Sequence, residues 1–346
     1  MSIHRFWTSA GLGLGYFSGL ARFAELGGGG AGVVLRFERV RPRRSERFQP
    51  LRSREITPQF LDRLLRALKR WRCEIVSPDD VVARLEERRL RSRFVCLTFD
   101  GGSRDIATFA HPILARHGVP FAVYLPTAFP DGIGEAWWLA LEQVITTHER
   151  IALVIDHNER WFDTAKLDDK YRVFYFLGTW LRALGPAELH TAIHDLCIRY
   201  SVDLKRVTRE AVMNWEEVAR LAADPKVTIG SATVNYALLA NTAEAVARKE
   251  ITMGRAVLEA ALGRSAPHFA FPFGETGTFT ARHVEMVEQA GFTSAMTSIP
   301  GMIDAGNPPR AHMLPRISWD GRRTSLRDLR VVLSGLMPRA AAAIGR

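Results

Sequence analysis

The sequence predicts an α/β fold in which a parallel sheet curls into a distorted barrel with its helices outside. Strand-like and helix-like segments alternate along most of the chain, which is typical of parallel sheets. Residues 94–99 form a nearly continuous apolar run, as expected of a strand that is buried on both faces. At least six predicted strands, interrupted once at residues 131–213, favour a barrel over an open sheet.

Strands and helices alternate before the interruption. Thr57 followed by Pro58 is typical of a helix start, because threonine caps free backbone N–H groups and proline suits the first turn. Ser77 and Pro78, followed by two aspartates, begin a second helix in the same way, and a third helix ends near His117. The predicted strands of this part are residues 33–37, 74–76, 94–99 and 121–125.

Residues 131–213 are predicted to form a mainly helical insertion. One helix begins at Trp137, residues 151–155 and 161–163 predict a hairpin, and two further helices are separated by Gly185. The insertion therefore divides one barrel, predicted over residues 33–336, into two stretches of sequence.

The alternation resumes after the insertion. Asn241 with Glu244 resembles a capping box and predicts the start of a helix that reaches Leu262. A second helix ends near Gly291, and a last one covers residues 324–335. The predicted strands of this part are residues 227–229, 269–271, 294–297 and 314–318.

The composition is that of an ordinary globular protein. The 346 residues are 47% hydrophobic and 24% charged, which excludes a collagen-like, coiled-coil or wholly disordered chain. The cysteines at positions 73, 96 and 197 lie far apart, which excludes a disulfide scaffold and a cysteine-rich zinc module. Reduced thiols agree with a cytoplasmic protein, and we expect that location.

A leading segment, residues 1–32, precedes the predicted barrel. Residues 6–21 carry no charge and follow His4 and Arg5, as in a signal peptide, but glycines interrupt the run. Arg22 lies where a small-residue cleavage site belongs. Secretion and membrane association stay open on this ground. No run of 18 or more apolar residues occurs, so we expect no membrane-spanning segment.

The formal charge of +10 is concentrated in residues 36–54, which hold eight arginines and two glutamates. Such a cluster attracts anionic partners. A solvated arginine-rich surface is the alternative, because only six of the 47 basic residues are lysines and arginine is used throughout the chain. An anionic partner at Arg36–Arg54 therefore stays open, and we expect no nucleic-acid partner.

Four motifs follow predicted strands, where barrel enzymes carry their chemistry. They are Thr98-Phe99-Asp100-Gly101-Gly102, the segment 230–236 (GSATVNY), Phe271-Pro272-Phe273-Gly274 and Leu314-Pro315-Arg316-Ile317. In this order they resemble the motifs of the polysaccharide deacetylases, a family that includes nodulation protein B, a chitooligosaccharide deacetylase. The resemblance covers about residues 33–335. It implies a distorted (β/α) barrel and metal-dependent removal of N-acetyl groups from amino sugars.

The resemblance also implies a divalent metal such as zinc, held by one aspartate and two histidines spaced four residues apart, with a second aspartate as base. The two histidines can face one ion because residues four apart meet on one side of a turn. In this chain the three ligand positions hold Gly101, Ala232 and Tyr236, and only the base position is kept, as Asp100. We therefore expect no metal cofactor and impaired catalysis.

The resemblance assigns the site residues as follows. Asp100 is the candidate catalytic residue. The candidate substrate-binding residues, for an amino-sugar oligosaccharide, are Ser231, Asn235, Tyr236, Phe273, Arg316 and Trp319. The family's late acid, a histidine in an L-x-H motif, has no clear counterpart, because His312 precedes Leu314 in the opposite order.

Three functions stay open at this point. The first is a glycan-binding or regulatory protein of carbohydrate metabolism that keeps the barrel and has lost the metal chemistry. The second is an active deacetylase with a non-standard site, built from Asp100, Asp105 and Asn235. The third is a non-enzymatic scaffold that binds an anionic partner through its arginine cluster.

One further group carries possible metal ligands. His190, His194 and Cys197 share one face of a predicted insertion helix and could hold zinc, with Glu188 or Asp195 beside them. An amphipathic helix with two ordinary histidines is the alternative. Asp100 has a structural alternative as well, in which its carboxylate bonds the backbone of the turn that follows it.

Overall fold

The computed structural model describes residues 32–88, 90 and 93–333. The predicted leading segment up to residue 31, including residues 6–21, lies outside the described residues. The strands are β1 (Gly32–Phe37), β2 (Arg39–Val40), β3 (Glu55–Ile56), β4 (Glu74–Val76), β5 (Phe94–Asp100), β6 (Phe121–Leu125), β7 (Arg150–Ile155), β8 (Asn158–Asp163), β9 (Val227–Ser231), β10 (His268–Ala270), β11 (Ser294–Met296) and β12 (Ile317–Ser318).

Helices follow most of these strands. They are α1 (Pro58–Arg70), α2 (Pro78–Glu86), α3 (His111–His117, after a π-helical turn at Ile106–Ala110), α4 (Trp137–Thr147), α5 (Leu167–Ala183), α6 (Pro186–Arg199), α7 (Leu204–Ala211), α8 (Trp215–Ala222), α9 (Glu244–Leu262), α10 (Ala281–Gln289) and α11 (Leu326–Leu333). None of the helices in the described part of the chain is both long and apolar enough to cross a membrane.

The main sheet is parallel and confirms the predicted barrel. Its strands follow the order β11-β10-β9-β6-β5-β1-β12. β4 pairs with the first half of β5, and β6 pairs with the second half. Leu314 forms a bridge to Met296 of β11, and three residues later Ile317 pairs with Leu35 of β1. This closing segment touches both edges of the curled sheet, so the strand ends converge on one mouth.

Strand β5 lies at the centre of the sheet. All seven of its residues are buried, as its apolar run predicts, and six of them, from Phe94 to Phe99, pair with β1. Its last residue, Asp100, is the one charged residue of this buried strand. The polar group at this strand end therefore needs a partner inside the barrel.

The predicted side-chain caps are confirmed at two of three positions. Thr57 accepts a hydrogen bond from the backbone N–H of Phe60, and Ser77 forms a capping box with Asp80. The capping box predicted at Asn241 is wrong, because α9 begins at Glu244 without a side-chain cap. The Asn241 amide instead donates to the carbonyl of Ala183, 2.9 Å away, and so holds the insertion to the barrel.

Residues 131–213 fold around one apolar cluster, which Phe48 and Leu51 from outside the insertion also join. The predicted hairpin is present as antiparallel β7 and β8. Helices α4, α5 and α6 bury residues such as Leu141, Leu177 and Ile193 in one cluster. A third helix, α7, follows the two that the sequence predicts after the hairpin. The insertion stands over the barrel mouth, because Ala136 and Trp138 at the start of α4 approach the strand-end loops.

Candidate functional site

Asp100 lies at the mouth of the barrel between two arginines. Arg36 of β1 is paired in register with Thr98 of β5. Residues two apart on a strand share a face, so Arg36 projects to the same side as Asp100. Arg316 enters from the closing segment before β12. The β1–β5 register and the closing segment thus bring two cations to one carboxylate.

Both oxygens of Asp100 are occupied. Arg316 donates from Nη1 to Oδ1 at 2.7 Å and from Nη2 to Oδ2 at 2.8 Å. Arg36 donates from Nε to Oδ2 at 2.5 Å. Asp100 is 3% exposed and Arg316 is fully buried. Burial by itself raises the pKa of Asp100, but the charges of Arg316 and Arg36 outweigh it and hold the pKa below its ordinary value. The carboxylate is a charged structural partner.

The three positions that the resemblance assigns to metal ligands offer a poor ligand set. Gly101 has no side chain and adopts a φ of +89°. Ala232 is buried in an apolar cluster and has no donor atom. Tyr236 packs its ring against Phe273, with centroids 5.1 Å apart. The guanidinium of Arg36 adds a positive charge at Asp100. The residues at the barrel mouth therefore do not fit the family's metal.

Tyr236 and Trp138 separate two cavities. A small cavity of about 50 Å³ touches Asp100, Gly101 and Arg54. A larger cavity of about 390 Å³ opens on the other side and falls in the range of roughly 300–1,000 Å³ that is usual for ligand sites. Both rings line both cavities. A sugar-sized ligand fits the larger cavity only, on the far side of this wall from Asp100.

The larger cavity, here called the mouth pocket, combines aromatic rings with polar groups. Its aromatic lining comes from Trp137, Trp138, Tyr236 and Phe273. The guanidinium of Arg182 lies 4.4 Å from the centroid of Phe273 and joins this lining. The acidic and polar residues that line it are Glu135, His190, Asn235, Thr242 and Glu250.

Asn235 is held by a carboxylate that the sequence analysis did not single out. Its amide donates to Glu250 Oε1 at 2.6 Å, and the backbone N–H groups of Val234 and Asn235 donate to Oε2. Glu250 belongs to the buried face of α9, with Ala247 and Ile251 beside it. A carboxylate within this apolar stripe is the sequence signal that could have identified it.

Two other candidate residues lie elsewhere in the fold. Ser231 is fully buried against α9, where a Cβ on Gly254 would lie 2.9 Å from its hydroxyl. Trp319 stacks on Phe60 of α1, with centroids 5.5 Å apart, and donates from Nε1 to a backbone carbonyl. Both side chains contribute to packing between the sheet and a helix.

The alternative catalytic site of Asp100, Asp105 and Asn235 is not assembled, because each side chain pairs with a different residue. Asp105 accepts from Arg39 Nε at 2.9 Å, whereas Asn235 is held by Glu250. His312 lies 2.7 Å from the backbone carbonyl of Phe292, so this ring is engaged outside the mouth pocket.

Several solved structures share this fold, and deacetylases are among them. The chain is similar to the Streptococcus pyogenes deacetylase PplD in complex with acetate, at 14% identity and a TM-score of 0.57, covering 87% of this chain and 97% of that one. IcaB from Ammonifex degensii gives 17% identity and a TM-score of 0.55, covering 89% and 98%. A de-N-acetylase from Aggregatibacter actinomycetemcomitans gives 13% and 0.54, covering 87% and 99%. No curated protein matches the chain in sequence.

The family model described as polysaccharide deacetylase matches residues 173–295. Over this stretch the chain is similar to the polysaccharide deacetylase family, and the solved structures above share its fold. The matching region includes two of the four motifs, 230–236 and 271–274. The motif that carries Asp100 lies before it.

A group of side chains that could hold a metal ion lies at the rim of the mouth pocket. His190 and His194 of α6 meet Glu135, which precedes α4, and one ligand atom of each lies within 4.8 Å of the others. Our expectation of a chain without a metal cofactor is therefore corrected. The family usually uses a divalent metal, and the described residues contain a group that could hold one. The expectation failed because it considered only the strand-end motif positions.

The third ligand of this group differs from those weighed in the sequence. Glu135 lies 55 residues before His190, and packing of the insertion brings them together. Cys197 is on the next turn of α6 but is not part of the group. Burial, and to a smaller extent the charge of Glu135, raise the pKa of the Cys197 thiol to about 11. The sulfur is therefore protonated at neutral pH.

The arginine cluster at 36–54 is largely turned inward. Arg44 lies 3.1 Å from Glu142 and 3.2 Å from Glu55, and both carboxylates are buried. Ion pairs join five of the eight arginines to carboxylates; they are Arg36, Arg39, Arg41, Arg44 and Arg54. These pairs compensate much of the charge that an anionic partner would use.

Proposed function

We propose that this member of the polysaccharide deacetylase family binds an N-acetylated amino-sugar oligosaccharide in the mouth pocket, and that hydrolysis at the family's Asp100 centre is impaired. The observation that carries the proposal is the double pairing of Asp100 with Arg36 and Arg316. The function is then recognition of the glycan.

A carboxylate base has to accept a proton at a free oxygen. Both oxygens of Asp100 accept bonds from guanidinium groups, and its pKa is held low. A metal lowers the pKa of its bound water from 15.7 to ~7, a shift worth about 12 kcal/mol at 1.36 kcal/mol per unit. General-base help contributes roughly 10²–10⁴-fold. Asp100 alone therefore does not replace a metal-bound water.

The mouth pocket supports the binding half of the proposal. Trp137, Trp138 and Phe273 present aromatic rings, whose apolar faces suit the C–H faces of a sugar ring. Asn235 and Glu250 supply amide and carboxylate groups beside them, which suit hydroxyl and N-acetyl groups. Its volume suits one or two sugar rings and leaves the rest of an oligosaccharide outside.

Calorimetric titration with N-acetylglucosamine oligomers tests this binding. We expect saturable binding to the full chain, and roughly fivefold weaker binding for Trp137→Ala, because one aromatic contact contributes about 1 kcal/mol. Trp161→Ala is the matched control, since Trp161 is 54% exposed on β8 and does not line the mouth pocket. Absence of binding, or equal losses in both variants, would refute recognition in this pocket.

An acetate-release assay on the same oligomers tests the catalytic half. We expect wild type and Asp100→Asn to release the same small amount of acetate. Turnover that disappears in Asp100→Asn would show that the paired carboxylate is catalytic after all.

A second candidate is an active deacetylase with a non-standard site. It is favoured by one observation, the group of Glu135, His190 and His194 at the rim of the same pocket. Acetate release that persists in Asp100→Asn but is lost in His194→Ala would favour this candidate over recognition alone.

A further inference from the structure

The insertion brings two imidazoles and a carboxylate to one point. His190 and His194 are four residues apart on α6 and therefore share a face. Their ring centroids are 4.0 Å apart. Glu135 Oε1 lies 3.0 Å from His190 Nδ1 and 2.7 Å from His194 Nε2. A single carboxylate oxygen thus contacts a nitrogen of each ring.

These separations are close to those of a metal centre. Zinc binds histidine nitrogen and carboxylate oxygen at about 2.0–2.2 Å, so two ligands on a tetrahedral ion lie ~3.3 Å apart. The observed separations are a few tenths of an ångström shorter. The three side chains are 30–59% exposed and can move outward by that amount without disturbing a packed core.

The ligand set and its position select the class of ion. Two imidazole nitrogens with one carboxylate oxygen suit zinc and neighbouring late first-row metals, whereas calcium and magnesium prefer oxygen-only sites. Three protein ligands leave a fourth position for water or a ligand group. Glu135 and His190 both line the mouth pocket, so an ion held here borders that cavity.

We propose that Glu135, His190 and His194 form a binding site for one divalent late first-row metal ion, with zinc as the expected occupant. The ion joins the segment before α4 to α6 across one wall of the mouth pocket. The proposal depends only on the geometry of this group, so it holds whether or not the pocket binds a sugar.

The test is a zinc titration of the full chain after treatment with a chelator, followed by calorimetry and by the visible absorption of the cobalt-substituted protein. We expect one equivalent of zinc with micromolar or tighter affinity. Loss of even an outer partner of a metal ligand costs roughly 10–100-fold in affinity. His190→Ala and Glu135→Gln should therefore weaken binding at least tenfold, and the variant with both histidines replaced should lose it.

Asp195→Asn is the matched control, because Asp195 lies on the same helix, is exposed and pairs with Arg199. It should bind zinc as wild type does, and circular dichroism should show every variant folded. Absence of zinc binding to wild type, or undiminished binding by the double histidine variant, would overturn the proposal. Neither result concerns sugar binding, which is measured without metal, so the two proposals fail separately.

Discussion

Arg36 Nε lies 2.5 Å from Oδ2 of Asp100, a carboxylate oxygen that also accepts a hydrogen bond from Nη2 of Arg316. Cations therefore already compensate the carboxylate that stands at the family's base position. Arg36 also bonds Glu38 through Nη2 at 2.9 Å. Arg36 thus belongs to a buried network that stabilises the mouth of the barrel.

Replacement of Arg36 by leucine should destabilise the protein strongly. The change removes one cationic partner from the buried Asp100 and one from the half-buried Glu38. Breaking a buried ion pair costs about 3 kcal/mol or more. Urea unfolding measures the loss. Arg54→Ala is the control, because its pair with Glu38 at 3.4 Å is more exposed and should cost less than about 1 kcal/mol. Equal losses in the two variants would contradict the special role of Arg36.

The pH dependence of stability should report the state of Asp100. A carboxylate whose pKa is lowered on folding stabilises the native state above its unfolded pKa of about 3.9, and that contribution is lost as the pH falls through the folded value. Asp100→Asn should therefore be less stable than wild type at neutral pH. The gap should narrow below about pH 4. A gap that is constant from pH 7 to pH 2.5 would contradict the charged pair.

The residues at the strand ends could be predicted from the sequence, because each depends only on the few residues that precede it in its own strand. An apolar run that ends in Asp100 indicates a buried strand with a polar terminus, and the motif order places Arg316 at the same mouth. Phe273 and Asn235 follow neighbouring strands in the same way. These residues do line the barrel mouth or its pocket.

Other features depend on packing between distant segments. An arginine-rich stretch indicates an exposed surface. In the structure, Arg36 instead pairs with Asp100 of β5. Arg44 pairs with Glu55 of β3 and Glu142 of α4. Glu135 meets His194 across 59 residues of sequence, which no local pattern encodes. The sequence predicts that Trp319 contacts a sugar. In the structure its ring is buried against Phe60, which removes its apolar area from water.

The inward arginines should behave as structural residues. Arg44→Ala removes a partner from the buried carboxylates of Glu55 and Glu142, so we expect a loss of about 1–3 kcal/mol in the free energy of unfolding. Arg43→Ala changes an exposed neighbour and should cost less than about 0.5 kcal/mol. If Arg44→Ala is as stable as Arg43→Ala and only polyanion binding falls, the cluster serves an anionic partner instead.

Restoring the family's three metal ligands should test whether the barrel mouth can still bind a metal ion. Gly101→Asp, Ala232→His and Tyr236→His together supply one carboxylate and two imidazoles beside Asp100. The left-handed backbone at position 236, with φ of 58°, tolerates histidine better than most residues. Aspartate at position 101, with φ of +89°, costs on the order of 1–2 kcal/mol. The triple variant should fold with reduced stability.

The triple variant should bind added zinc only weakly while Arg36 is present, because its guanidinium, held next to the new site by Asp100, repels the ion. Adding Arg36→Gln should strengthen zinc binding at this second site by roughly tenfold, since it removes a unit charge worth about 1.4 kcal/mol or more at such a distance. The measurement needs the double histidine variant at positions 190 and 194 as background, so that the insertion site does not contribute. If the folded quadruple variant binds no more zinc than the triple one, the pairing of Arg36 with Asp100 is not what excludes the metal. If neither variant binds zinc, the strand-end loops do not bring the three new ligands together.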